Sequence, residues 1–288
     1  MAETNQATPT KATTAKAPTQ AKVSGNMISW LAPLLCLVAG YIIWRFIIGN
    51  PSGFEQPDPA GGFWPKHVGP KSALSSIYEG GIIIPILIGL LIMSFVFFIE
   101  RMLTISRAKG RGNPANFVRK VQYHLANKNV EAALAECDKQ RGSVGNVMKA
   151  GLSRYKELIG DPNLTIEQKV LSIQKEVEEA TALELPMLQR NMIFLSTITT
   201  IGVMVALLGT VLGMIRSFAA LGEEGGGGNA TQLAIGIAEA LYNTALGIST
   251  SAIALVFYNM LTTRIDNITN SIDEAGFTLT QSFASLYK

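Results

Sequence analysis

The sequence predicts an all-α membrane protein with three to four transmembrane helices, its long helices extending into a cytoplasmic helical domain. Three observations carry this reading. Hydrophobic residues make up 48% of the 288 and charged residues only 16%, against roughly 25% charged in soluble domains. The charges are nearly absent from four apolar stretches and crowded between them, each stretch being near the ~20 residues that cross a bilayer core. The charged segments in turn repeat apolar residues at steps of three and four, the period of a helix.

In chain order, residues 1–26 are rich in Ala, Thr, Lys, Pro and Gln. They lack the apolar surface to offset chain entropy and are expected to form a disordered cytoplasmic tail. Residues 27–48 are expected to be an extra N-terminal membrane helix, with Trp30, Tyr41 and Trp44 suited to interfacial belts. A cleaved signal peptide is the rival reading, because lysines precede the apolar run, but no A-x-A-like site follows. Residues 49–79 hold Pro51, Pro57, Pro59, Gly61, Gly62, Pro65 and Pro70 and read as an irregular periplasmic loop.

Residues 80–100 form the next membrane helix, followed by Arg101, Arg107, Lys109 and Arg111, a basic cluster that marks the cytoplasmic side. Residues 101–190 read as a cytoplasmic helical domain. Within it, Asn113-Pro114 is an N-cap and first-turn pair, and Thr165 with Gln168 fits a capping box. From Thr165 only Pro186 interrupts the pattern before Gly202, so one long helix, kinked near Pro186, is expected to rise into the membrane helix of residues 191–221. A Gly-rich periplasmic loop without Lys or Arg fills 222–232, and residues 233–259 are the last membrane helix. In 260–288, Leu261, Ile265, Ile268, Ile272, Ala275, Leu279, Phe283 and Leu286 describe a cytoplasmic amphipathic tail helix. Four spans put both ends in the cytoplasm; three leave the large domain inside.

Several function classes find no support. The net charge of +3 and the lack of a basic run interleaved with aromatics argue against nucleic acid. Cys36, Cys137, His67 and His124 have no metal-site spacing, and Ser196, Ser217 and Ser249 lack a nearby histidine. No enzyme activity and no cofactor are implied.

The chemistry-bearing pattern lies in the last two spans. Gly202, Ala206, Thr210, Gly213 and Ser217 are separated by steps of 4, 4, 3 and 4, and Gly236, Ala240, Thr244, Gly247 and Ser251 repeat those steps. Each set therefore lies along one side of its helix. Both have a threonine at the centre, at a similar depth of ~16 Å from the Gly-rich link. Small-residue stripes allow close helix packing; they are also compatible with lining a lumen. Glu239, one turn before Asn243, adds an intramembrane carboxyl, a residue type that usually faces a protein interior or aqueous path. Burial away from cations would favour its protonated form; an interfacial glutamate reaching water is the bland alternative.

The run from Leu207 through Leu208-Gly209-Thr210-Val211-Leu212-Gly213 to Phe218 resembles the signature of the MotA/TolQ/ExbB proton channel family. Gly236 to Gly247, with Glu239-Ala240-Leu241, resembles its second half, and Tyr258-Asn259 and Glu100-Arg101 also fit. The resemblance covers the chain from about residue 75 and is nearest to the ExbB/TolQ branch. It departs where Gly202-Val203 and Ala206 replace the family's Ala-Pro and Gly, and residues 1–75 fall outside the usual pattern. The resemblance implies a bacterial inner-membrane, multi-pass subunit, homopentameric around a dimer of a single-span ExbD- or TolR-like partner whose membrane aspartate carries protons, and coupled to a TonB-like protein. It implies that Thr210 and Thr244 line the proton pathway and that Glu239 is the family's membrane glutamate. The alternatives are a TolQ-like or flagellar- or gliding-type stator subunit, or a non-conducting scaffold whose stripes only pack helices.

Overall fold

The computed structural model describes residues 26–58, 62–65, 67–78, 80–160, 162–223 and 230–286. The expected tail over 1–26 and most of the Gly-rich loop lie outside the described residues. Among those described, four helices are long and apolar enough to cross a membrane, as candidate spans Leu31–Ile48, Ile83–Ala108, Met192–Ala219 and Leu233–Leu286. The chain is a multi-pass helical membrane protein.

Helix α1 (Asn26–Ile42) runs on as a π-helical turn over Ile43–Ile48. It lies on α3 (Ile83–Ala108) through glycines: a Cβ on Gly40 would stand 2.6 Å from the Gly89 nitrogen and the Pro85 carbonyl. Between them, the described residues of 49–79 hold more regular structure than their Pro and Gly content suggests. They form a small antiparallel hairpin, β1 (Phe54–Gln56) with β2 (Val68–Pro70), and a short helix α2 (Ala73–Tyr78). The reason is aromatic packing, which supplies the buried area that the irregular backbone cannot. Trp44 stacks on Tyr78 at 4.4 Å, Phe54 on His67 at 4.6 Å, and the Tyr78 hydroxyl donates to the Pro65 carbonyl at 2.7 Å.

Helix α3 does not stop at Glu100 but continues to Ala108. Four helices follow, α4 (Pro114–Ala126), α5 (Val130–Gln140), α6 (Gly142–Ile159) and α7 (Ile166–Gln189). Both sequence-level caps form: the Asn113 side chain accepts from the Ala115 amide, and Thr165 and Gln168 make a reciprocal capping box. The single kinked helix expected from Thr165 into the membrane is instead two. Pro186 sits inside α7, and the break falls at Arg190–Asn191, where Asn191 takes φ +62° before α8 (Met192–Glu223) begins. Asparagine tolerates that left-handed conformation, and a clamp from α3 holds the break. Arg101, 3% exposed, donates to the Met187 carbonyl at 3.3 Å and to the neighbouring Glu100 carboxylate, which also accepts from the Asn191 side chain at 3.4 Å.

The last membrane helix and the tail helix are likewise not separate. One helix, α9 (Ala230–Leu286), covers both in 57 residues, ~86 Å of rise. Nothing in its sequence breaks it, since its glycines are single and it contains no proline. Its first part lies against α8; its second part threads the α4–α7 domain, with Leu261, Ile272, Leu279 and Phe283 fully buried.

Candidate functional site

The two small-residue stripes face each other. Helices α8 and α9 run antiparallel, and the contacts that a Cβ on each glycine would make give the register. Gly202 meets Ser251, Gly247 meets Ala206, Gly213 meets Ala240 at 3.1 Å, and Gly236 meets Ser217. At the centre, the Thr210 and Thr244 hydroxyls hydrogen-bond directly to each other. The positions sum almost to a constant along the seam, so equal spacings on two antiparallel helices bring every member opposite its counterpart. Absence of side chains allows the approach: a Cβ on Gly247 would stand 2.7 Å from the Gly202 carbonyl. In a membrane, where lipid is as apolar as leucine, such backbone proximity supplies the packing energy.

The threonine pair is only partly buried. Thr210 Oγ1 also lies 3.1 Å from the Ala206 carbonyl and 3.4 Å from that of Ala240, and Thr244 Oγ1 lies 3.2 Å from the Ala240 carbonyl. Two hydroxyl protons thus have four acceptors in reach, the two carbonyls and each other's oxygens. Rotation of either hydroxyl exchanges donor and acceptor roles. Such a pair can pass or orient a proton, but a neutral hydroxyl holds no extra one.

Glu239 occupies another face. With Arg216, Asn243, Gly80 and Gly209 it lines a cavity of about 10 Å³ between α8, α9 and the start of α3, room for about one water. Asn243, 2% exposed, donates from Nδ2 to the Gly80 carbonyl at 3.2 Å, while its Oδ1 is buried with no partner among the described residues. Gly80 and Gly209 are required here, since a Cβ on either would come within 3.0 Å of the Asn243 side chain. The structure therefore joins Thr210 to Thr244 directly and sets Glu239, ~7.5 Å higher along α9, in a separate pocket with an arginine. The sequence reading missed Arg216 and Asn243 as site residues. The available signal was symmetric placement: Arg216 lies six residues before position 222 and Glu239 six after position 233, so an antiparallel pair sets opposite charges at one depth.

An antiparallel pair of membrane helices is thus joined by small residues around two mid-span hydroxyls and flanked by a partly open cavity lined by Glu239, Arg216 and the buried Asn243. Comparison with known proteins makes this specific. Residues 139–274 match the MotA/TolQ/ExbB proton channel family, so the chain is similar to that family through this segment. A Synechocystis protein described as a biopolymer transport protein, ExbB-like 3, is 38% identical over 29% of this chain and 40% of its own length. The Tol-Pal system protein TolQ of Pseudomonas aeruginosa is 30% identical over 42% of this chain and 52% of its own. An ExbB homolog of Methanothermobacter thermautotrophicus is 24% identical over 70% of this chain and 67% of its own. The chain thus spans about half or less of the first two relatives.

Proposed function

We propose that this chain is an ExbB-like proton-channel subunit of a bacterial inner-membrane motor. With an ExbD-like partner it uses the proton motive force to energise TonB-dependent outer-membrane transport. The observation that carries the reading is the hydroxyl pair of Thr210 and Thr244, set face to face in mid-span within a seam otherwise made of Gly, Ala and Ser. A homopentamer would arrange five such seams around a dimer of single-span partners, each supplying the aspartate that the threonines cannot replace. The basic cluster after α3 supports a cytoplasmic α4–α7 domain, and with it a periplasmic hairpin of β1 and β2. Glu239 then stands between the periplasm and the hydroxyls, where its carboxyl can receive a proton on the way in.

Each proton crossing 100 mV releases ~2.3 kcal/mol, and each pH unit adds ~1.4 kcal/mol. Several protons must therefore be coupled to one mechanical stroke on a periplasmic arm. Thr210→Val with Thr244→Val keeps the β-branched shape and removes both hydroxyls. In cells that express the partner, this double variant should abolish proton-dependent uptake while the purified complex keeps its size. Full uptake would sink the assignment, and loss of uptake in step with loss of the complex would favour a packing scaffold. A TolQ-like role is the second reading, favoured by the two TolQ relatives at 30% and 34% identity. A neighbouring coding sequence for a TonB-like protein would decide for the first.

A further inference from the structure

Among the described residues, another cavity lies away from the seam, where α3 hands over to α4. It has a volume of about 510 Å³ and is lined by Arg111, Lys120, Glu136, Lys139 and Gln140, with Asn113 at its edge. Its walls are fixed by backbone. Gly110 takes φ +78°, the Arg111 amide donates to the Gln140 carbonyl at 2.7 Å, and a Cβ on Gly142 would stand 2.6 Å from the Gly110 nitrogen. Arg111 therefore projects from a chain pinned against the α5–α6 turn.

The lining is rich in donors and in positive charge. Three cations line the pocket with one carboxylate, Glu136, which accepts from Lys139 at 2.6 Å and lies 3.8 Å from Lys120. The hydrogen bond from Lys139 holds that carboxylate below its ordinary range, so it stays ionised and neutralises only part of the charge. Arg111 takes part in no ion pair among the described residues. Gln140 is 6% exposed, and its Nε2 is buried with no acceptor among the described residues. A buried orphan donor is costly unless something meets it, and Gln140 forms the pocket wall. The positive end of the α4 dipole opens at the same place.

The position narrows the ligand. Leu103, an exposed apolar residue of α3, lies six residues before Lys109, ~9 Å along the axis. On the proposed topology the pocket lies just past the end of the candidate span Ile83–Ala108, on the side where headgroups of that leaflet stand. We propose that this pocket binds a phosphate group, carried either by an anionic phospholipid of the adjoining leaflet or by a soluble phosphate compound. Arg111 grips the oxyanion, Lys120 and Lys139 supply further charge, and Gln140 donates from beneath.

The test uses the full chain purified in detergent, in two arms. In the first, native mass spectrometry counts lipids retained from micelles holding equal phosphatidylglycerol and phosphatidylcholine. In the second, inorganic phosphate is titrated by calorimetry. Binding is expected in at least one arm: the first alone assigns a lipid, the second a soluble phosphate. Arg111→Gln should weaken it about tenfold or more, the effect of removing one charge-assisted contact. Arg111→Lys should retain most of it, and Gln140→Leu should weaken it without changing the charge. Lys175→Gln, an equal charge change at an exposed site outside the pocket, should leave it unaltered. The proposal fails if neither probe binds, if Arg111→Gln binds like the parent, or if Lys175→Gln loses as much affinity as Arg111→Gln.

Discussion

Along its first half α9 meets α8 through Gly236, Ala240, Thr244, Gly247 and Ser251. Along its second half it meets α4, α6 and α7 through Leu261, Ile265, Ile268, Ile272, Leu279 and Phe283. Both halves present residues at steps of three and four on one continuous helix, yet one set is small and the other large. Inside the bilayer there is no hydrophobic gain in leaving lipid, so adhesion comes from close backbone approach and hydrogen bonds. Beyond it, water drives burial, and each large side chain removed from water contributes ~1.5–3 kcal/mol. A single helix thus changes its mode of packing where its surroundings change, without changing its period.

That contrast can be broken at either end. Phe283 is fully buried with its ring edge-on to Tyr155 at 4.8 Å. Phe283→Ala should cost ~3–5 kcal/mol, read as a fall in the melting temperature of the purified protein. In the seam the same logic runs backwards, since adding atoms is what harms. Gly247→Ala should cost ~1–3 kcal/mol through overpacking against Gly202 and Ala206, although alanine favours an isolated helix. An unchanged melting temperature for Gly247→Ala would show that the helices are not held this closely.

At the centre of the seam, the threonine substitutions should separate stability from function. Thr210→Val removes one exchange of hydrogen bonds, worth ~0.5–1.5 kcal/mol net. A much larger destabilisation would identify the pair as structural glue. The smallest effect is expected at Cys137 in the helical domain. Burial pushes its thiol up to about 12, and the thiolate is the reactive form. At pH 8 a maleimide should therefore leave Cys137 unmodified in the folded protein and react once denaturant is added. Rapid labelling in the folded state would show that the domain around the second half of α9 opens readily.

Much of this architecture was legible in the chain. The apolar runs read at 80–100 and 191–221, the Asn113 and Thr165 caps, and the buried face from Leu261 to Phe283 all follow from local chemistry and helical period. The helix break at Asn191 was not legible, because Pro186 looked the better breaker. What places it at Asn191 is Arg101, some ninety residues earlier, which meets the Met187 carbonyl and braces Glu100 against Asn191. The order of residues 49–79 was also hidden, since it depends on Trp44, Phe54, His67 and Tyr78 meeting across the hairpin.

For the functional region the division is sharper. The sequence by itself determined that Thr210 and Thr244 sit at the middle of two small-residue stripes with identical steps, because a helix of fixed period sets which side chains share a face. Only the tertiary structure decided that the stripes oppose each other in antiparallel register, so that the two hydroxyls bond. It also decided that Glu239 turns away from them into a cavity with Arg216 and Asn243. Period assigns a residue to a face, but what that face meets depends on where the other helices stand, and that is settled by contacts between residues far apart in the chain.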